Sequence, residues 1–267
     1  MNKRSLQGKR ILITGAGGGI GRALALSAVE RGMRVTITDV AADRLGQTRE
    51  VLLANDNEVK AITADLTDEV DRQRAIDVIE SEWGGLDVLV NAAGAGAFGS
   101  FLDLEPDSLR RIMEINFFAV AELCRIASPI LRCGVDPLIV NISSMYGRRG
   151  VPQWAGYCAS KFALCGFSEA LRAELVPDGI GLLLVLPGVT KTDFGSRLIA
   201  NSTQQDLVLS AGIAPEVVAK SVFEGVIRRE NELIVGSDAR RMILANRFFP
   251  RWVDRRKGRQ VLLGTRR

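Results

Sequence analysis

The 267-residue chain has no histidine at all. That excludes Ser-His-Asp hydrolysis, imidazole metal sites and the usual general base near neutral pH, so any acid/base chemistry needs another group. Cysteine is scarce, and Cys124, Cys133, Cys158 and Cys165 form no C-x-x-C pair. They read as small apolar core thiols, with no metal site implied and no demand for an oxidising compartment. Tyrosine is scarcer still, with only Tyr146 and Tyr157. No stretch approaches the roughly 18 charge-free apolar residues that a membrane-spanning helix needs. The opening MNKRSLQGKR and the run ILITGAGGGI faintly imitate a signal peptide, but the apolar run breaks into glycine after four residues and reads as a first strand. A cytoplasmic location is the expectation.

What is present is apolar residue and glycine. Hydrophobic residues make up 47% of the chain and charged ones 25%, enough for one full core and with little room for a second domain. Twenty-seven glycines against eight prolines suit tight strand-to-helix turns. Charge is uneven: Arg240 to Arg267 holds ten Arg or Lys against Asp254 alone, a charge of +9, which leaves −5 on the preceding residues. The net +4 belongs to the tail, so the basic balance is no argument for nucleic-acid binding by the main domain, and none is expected.

Short runs rich in Val, Ile and Leu alternate with longer helical patterns: 10–14, 34–39, 58–63, 86–91, 137–143, 180–187 and 232–236. That alternation predicts an α/β fold with a parallel sheet covered on both faces, and right-handed crossovers favour a doubly wound Rossmann order. Thr67 is the expected N-cap of one helix, and another is expected from about Glu105 to Cys133 with Pro106 near its start. The polar, irregular segment 193–212 has the profile of a mobile lid. The chain thus divides into a dehydrogenase-like domain, 1–237, and a basic, aromatic-containing helix and tail, 238–267.

Three motifs carry chemistry. TGAGGGIG, Thr14 to Gly21, follows the first strand and opens a helix. Backbone without Cβ can approach a pyrophosphate there, and the helix N-terminus offers unpaired N–H groups. Gly15, Gly19 and Gly21 fit T-G-x-x-x-G-x-G, whereas Gly15, Gly18 and Gly21 fit T-G-x-x-G-x-x-G; alone, the loop also suits an ordinary strand-to-helix turn. Asp39 ends the second strand about twenty residues on, where a carboxylate would accept from the adenosine ribose and repel a 2′-phosphate; the alternative is a plain turn aspartate. Gly18 is not basic, so the arginine or lysine that commonly partners NADP is missing there. The third motif is Ser144 with Tyr157 and Lys161. Tyr157 and Lys161 are i and i+4 on a helix, so an ammonium can stabilise the phenolate, although such pairs are usually just a solvated face. Bringing a tyrosine from a pKa of about 10 to working pH needs ~2 to 3 units, or ~3 to 4 kcal/mol, shared by Lys161 and a cofactor cation.

NISS (Asn141 to Ser144) and YCASK (Tyr157 to Lys161), together with NAAG (Asn91 to Gly94), Asn116 and LPGVTKT (Leu186 to Thr192), resemble the short-chain dehydrogenase/reductase family from Lys9 to about Gly236. The resemblance implies NAD as cofactor and roles for particular residues. Ser144 would hold the substrate oxygen, Tyr157 would move its proton, and Lys161 would also grip the nicotinamide ribose. Asn116 would position a water joining Lys161 to solvent. Gly15, Gly19, Ile20 and Gly21 would line the phosphates, Asp39 the ribose, and Asp65 and Leu66 the adenine, with a plain turn the alternative for Asp65. Asn91 and Gly94 would floor the cofactor, and Thr192, after Pro187 and Gly188, would meet the carboxamide.

The expected substrate is a hydrophobic small-molecule secondary alcohol or ketone of steroid, lipid or terpenoid type, because Ala95, Phe98, Met145, Val151, Trp154, Phe194 and Leu198 are candidate pocket walls. A 3-oxoacyl thioester reductase is the second reading, against which Asp39 weighs, and a non-catalytic NAD-binding regulator the third. Many tetrameric members end in V-D-G-G, whereas this chain reads LIVGSDARRMILANRFFPRW, so a homodimer is expected rather than a tetramer. The tail from Asp238 puts Met242, Ala245 and Phe249 at helical spacing, with Pro250 expected to end the helix. It either packs on the protein, leaving a disordered basic end, or lies on an anionic membrane surface.

Overall fold

The computed structural model describes residues 3–54, 57–203 and 212–264. Among these, the apolar runs become β1 (Arg10–Thr14), β2 (Arg34–Asp39), β3 (Val59–Thr63), β4 (Val88–Asn91), β6 (Leu138–Ile142), β7 (Gly181–Pro187) and β9 (Glu232–Val235). They form one parallel sheet in the order β3-β2-β1-β4-β6-β7-β9. Every residue of β4 and β6 is buried, as expected of strands covered on both faces.

Helices α1 (Gly19–Val29), α2 (Ala42–Leu53) and α7 (Pro215–Arg228) cover one face, and α3 (Glu69–Trp83), α5 (Ala119–Arg132) and α6 (Ala155–Glu174) the other. Apart from a small third cluster of Ile62, Ala64 and Ala75, the side chains between layers separate into two large cores. Leu24, Ile37 and Phe223 belong to one, and Leu12, Leu89, Leu123 and Leu164 to the other, each 2% exposed or less. This is the doubly wound arrangement the sequence predicts. The strand order reverses beside β1, whose neighbours are β2 and β4, and the crevice outside their carboxyl ends is where ligands of such sheets bind.

Local expectations need correction in four places. Asp68, not Thr67, caps α3, its carboxylate accepting from Asp71 N at 3.0 Å, while Thr67 turns back to Asp65. The helix expected from 105 to 133 is α4 (Pro106–Met113) and α5 joined by a π turn, Glu114–Phe118, that contains Asn116. The segment after Thr192 is not irregular throughout: Asp193–Ser196 is a helical turn and Ala200–Asn201 (β8) pairs in parallel with Ala97–Phe98 (β5), while 204–211 lie outside the described residues. Pro250 ends α8 (Ser237–Phe248), but it also begins α9 (Pro250–Gly264), so the basic end is helical as far as Gly264.

Candidate active site

The carboxyl ends of β1, β2, β4, β6 and β7 open onto one cavity of about 660 Å³. Its wall includes each residue expected at the cofactor: Gly15, Gly19, Ile20, Gly21, Asp39, Asp65, Leu66, Asn91, Gly94, Tyr157, Lys161, Pro187, Gly188 and Thr192. Ser144 joins them. Asn116 does not; it is fully buried beneath the wall.

The glycine turn is a cradle that a side chain would fill. Gly15 has φ +68°, and a Cβ on it would sit 2.6 Å from Ala93 Cα; one on Gly21 would sit 2.2 Å from the Gly15 carbonyl oxygen. Helix α1 has no capping side chain and no acid in its first turn, so its amino-terminal N–H groups are left for a ligand at the cavity. Thr14 Oγ1 accepts from Ala92 N and Ala93 N, each at 3.0 Å, and so ties the end of β1 to the segment after β4. This geometry fits a dinucleotide diphosphate.

Asp39 is a turn residue and a cavity residue at once. Its Oδ2 accepts from Gly17 N and its Oδ1 from Ala41 N, both at 2.9 Å, which aims the carboxylate beside the glycine turn. Asp65 likewise closes a turn, its Oδ1 accepting from Thr67 N at 2.9 Å and Thr67 Oγ1 at 2.7 Å, while still lining the cavity. Asn91 donates to Asn141 Oδ1 across β4 and β6 at 2.8 Å; its own Oδ1 is buried without a hydrogen-bond partner among the described residues.

Helix α6 carries Tyr157 and Lys161 on one side. Lys161 Nζ is 5.8 Å from the centre of the Tyr157 ring and donates to the Ile142 carbonyl at 3.1 Å. Lys161 is 4% exposed, and burial lowers its pKa to about 8. Burial also dominates at Tyr157 and raises its pKa, against the pull of a hydrogen bond with Ser144. The expected depression of the phenol belongs to Lys161 and a cofactor cation together; in the protein alone, desolvation sets the direction at Tyr157. Tyr146, the other tyrosine, is also raised by burial and meets the Tyr157 ring edge-on at 6.4 Å.

Asn116 is held by backbone on both sides of its amide. Its Oδ1 accepts from Ala95 N at 2.8 Å, and its Nδ2 donates to the Ala95 carbonyl and to Ser160 Oγ, each at 2.9 Å. The side chain clamps the segment after β4 to α6, and the π turn is the local device that aims it inward.

Aromatic rings roof the site. Trp154 lies 5.6 Å from Tyr157, Phe194 lies 5.7 Å from Tyr157, and Trp154 and Phe194 stack at 6.5 Å. Of the candidate pocket walls, Ala95, Met145, Trp154 and Phe194 line the cavity. Phe98 instead backs Trp154 at 5.2 Å, Val151 is buried, and Leu198 packs at Gly96.

Three residues at the site had not been anticipated. Arg44 of α2 and Arg197, just after the turn Asp193–Ser196, stand at the cavity rim. Arg44 could have been found, since it sits in the first turn and a half of the helix that follows Asp39. Asp238, at the start of α8, accepts from Val189 N at 3.0 Å and crowds Gly188, fixing the turn after β7 from the tail.

Known proteins resemble the chain in both sequence and fold. The short chain dehydrogenase family model matches residues 9–203. SadH of Mycobacterium tuberculosis, which carries an oxidoreductase name, is 31% identical over 88% of this chain and 89% of its own length. The 3-ketodihydrosphingosine reductase of Bacteroides thetaiotaomicron is 36% identical over 75% of this chain and 71% of its own. A short-chain dehydrogenase/reductase of Burkholderia phymatum, solved in complex with NAD, superposes with a TM-score of 0.85 at 26% identity, covering 95% of this chain and 97% of that one. The chain belongs to the short-chain dehydrogenase/reductase family: it is an oxidoreductase with a Rossmann fold that acts on CH–OH groups. Among the described residues no helix is long and apolar enough to cross a membrane.

Proposed function

We propose that the protein is an NAD(H)-dependent dehydrogenase of a hydrophobic secondary alcohol, or reductase of the matching ketone, with Tyr157 as its acid and base. The carrying observation is the single cavity that puts the Asp39 carboxylate at one end and Ser144, Tyr157 and Lys161 under an aromatic roof at the other. The likeness to a 3-ketodihydrosphingosine reductase supports a substrate with a long apolar chain beside the reacting oxygen.

In this reading Ser144 Oγ holds the substrate oxygen and the Tyr157 hydroxyl gives it a proton during reduction, or takes one during oxidation. Burial keeps the phenol neutral, the state that reduction needs. Oxidation needs the phenolate, and Lys161 is the cation available one turn away. A bound nicotinamide supplies the hydride acceptor or donor and, when oxidised, a second positive charge. Asn116 acts by holding Ala95 and α6 in register. Asp39 selects NAD by meeting ribose hydroxyls and repelling a 2′-phosphate.

Two partner assignments accompany this reading. Leu109, Phe118 and Phe162 are exposed on neighbouring helices and suit a homodimer contact. The outer face of α8 and α9, where Phe248, Phe249 and Trp252 are exposed among arginines, suits an anionic lipid surface.

A panel of alcohols and ketones of graded chain length, followed by NADH absorbance, tests the function directly. Tyr157→Phe keeps the ring contacts and NADH binding and lowers turnover by about 10² to 10⁴. Near-normal turnover in that variant overturns the assignment of Tyr157.

A further inference from the structure

An ion pair from the segment after β7 lies on the glycine turn. Arg197 Nη2 pairs with Asp193 Oδ1, and Arg197 Nε also points at the Asp193 carbonyl, 3.4 Å away. A Cβ placed on Gly18 would meet Arg197 Nη2 at 3.3 Å and Asp193 Oδ1 at 3.6 Å, so both charges stand directly over the turn. The other Asp193 oxygen lies 3.9 Å from Arg44 Nη1 on α2, which makes Asp193 the shared anion of two arginines across the mouth of the cleft.

Around that carboxylate stand two guanidinium ions, the uncapped amino end of α1 and a turn stripped of side chains, all of which favour negative charge, while the other carboxylate at the turn, Asp39, is engaged by Gly17 N and Ala41 N. Asp193 is about half exposed, and a solvated i,i+4 pair of this kind contributes little to stability. The diphosphate of a dinucleotide offers the same guanidinium a doubly hydrogen-bonded partner with two charged phosphates in place of one carboxylate. A fixed carboxylate beside those oxygens would repel them.

We infer that Arg197 is a phosphate-binding residue for the dinucleotide, and that Asp193 is the internal anion which Arg197 exchanges for the cofactor diphosphate. The inference rests on the reading of this cavity as a nicotinamide dinucleotide site. It assigns the two residues opposite signs: Arg197 promotes binding and Asp193 competes with it. Release of Asp193 also frees Arg44, so the charge at the rim rises as the diphosphate arrives.

The experiment is equilibrium titration with NADH, read by quenching of tryptophan emission, alongside ADP and phosphate-free adenosine. Arg197→Gln weakens NADH and ADP by about 10-fold, Arg197→Lys recovers part of that, and Asp193→Asn tightens both two- to five-fold, with adenosine unchanged throughout. Raising the salt to ~0.5 M shrinks every one of these differences. Wild-type NADH affinity in Arg197→Gln overturns the inference. So does weakening by Asp193→Asn, which would mean that the pair only braces the loop, or an equal loss for adenosine. A wild-type protein that binds no NADH overturns the dinucleotide reading itself, and this one with it. Thermal melting of each variant confirms that the fold is intact.

Discussion

Lys161 Nζ stands 5.8 Å from the centre of the Tyr157 ring, one helical turn along α6, and both groups are shaped more by burial than by each other. The lysine is lowered from 10.5 to about 8, so below pH 8 the folded protein carries a buried charge that the unfolded chain keeps in water. The sign follows: the penalty is fully present below about pH 8 and is relieved as pH rises toward 10.5, where the unfolded lysine also loses its proton. Lys161→Met in cofactor-free protein is therefore more stable than wild type at pH 7, by about 2 kcal/mol after allowing for the lost bond to Ile142. Melting temperatures measured from pH 7 to 10 show the gap closing. A Met variant less stable at pH 7 counts against a buried, strained ammonium.

Much of this was legible because it is local. Seven apolar runs mark seven strands, and their continuity rather than alternation marks a sheet covered on both faces. Tyr157 and Lys161 share a face by i, i+4 spacing alone. What the sequence hid depends on segments meeting from afar. Asp238 reaches Val189 across 49 positions, and Arg197 has no local mark that would bring it to Gly18. The π turn at Asn116 has no compositional signal, and the expected water-positioning role gave no hint that its amide would be used on Ala95 and Ser160.

In the proposed reading, coenzyme choice turns on Asp39 and its exposed neighbour Val40. Asp39→Ser with Val40→Arg removes a repulsion and adds a phosphate partner, so the ratio of kcat/KM for NADH over NADPH falls by about 10-fold or reverses. Because Asp39 also accepts from Gly17 N and Ala41 N, the variant loosens the glycine turn and loses absolute affinity for NADH. Unmodified protein that prefers NADPH refutes the reading of Asp39.

Asp136 should govern acid stability at the amino end of β6, across the sheet's length from the cavity. It accepts paired hydrogen bonds from Arg4 and Arg229, and these hold its carboxyl at about 2. A depressed carboxyl stabilises the fold above its unfolded value near 3.8 and loses that contribution as pH falls toward 2. With the carboxylate about a quarter exposed, Asp136→Asn costs roughly 1 to 2 kcal/mol at pH 7. Urea titrations at pH 7 and at pH 2.5 check this, because the gap between the two proteins narrows at the lower pH. A gap of equal size at both values rules out the charge as its cause.

The tail has two faces, and the inner one is already used. Ala239 is buried, Asn246 bonds to Arg149 and to the Arg148 carbonyl, and Arg149 pairs with Asp254, so α8 and α9 brace the turn that follows Ser144. The outer face keeps Leu244, Phe248, Phe249 and Trp252 between 55 and 66% exposed, with Arg247 over Phe248 and Arg256 over Trp252. Aromatic rings set among cations suit the head-group zone of an anionic bilayer, where each charge contributes up to about 1 kcal/mol. Cutting the chain after Ser237 would also remove Asp238 and disturb the turn after β7, so the better variants are Phe248→Ser, Phe249→Ser and Trp252→Ser together, which touch exposed side chains alone. Sedimentation with phosphatidylglycerol vesicles should show wild-type binding that falls with salt and is reduced at least 10-fold in the triple variant, with little binding to phosphatidylcholine. Equal partitioning of the two proteins would refute lipid contact, and a change of mass in light scattering on the same substitutions would assign the face to a second copy of the chain.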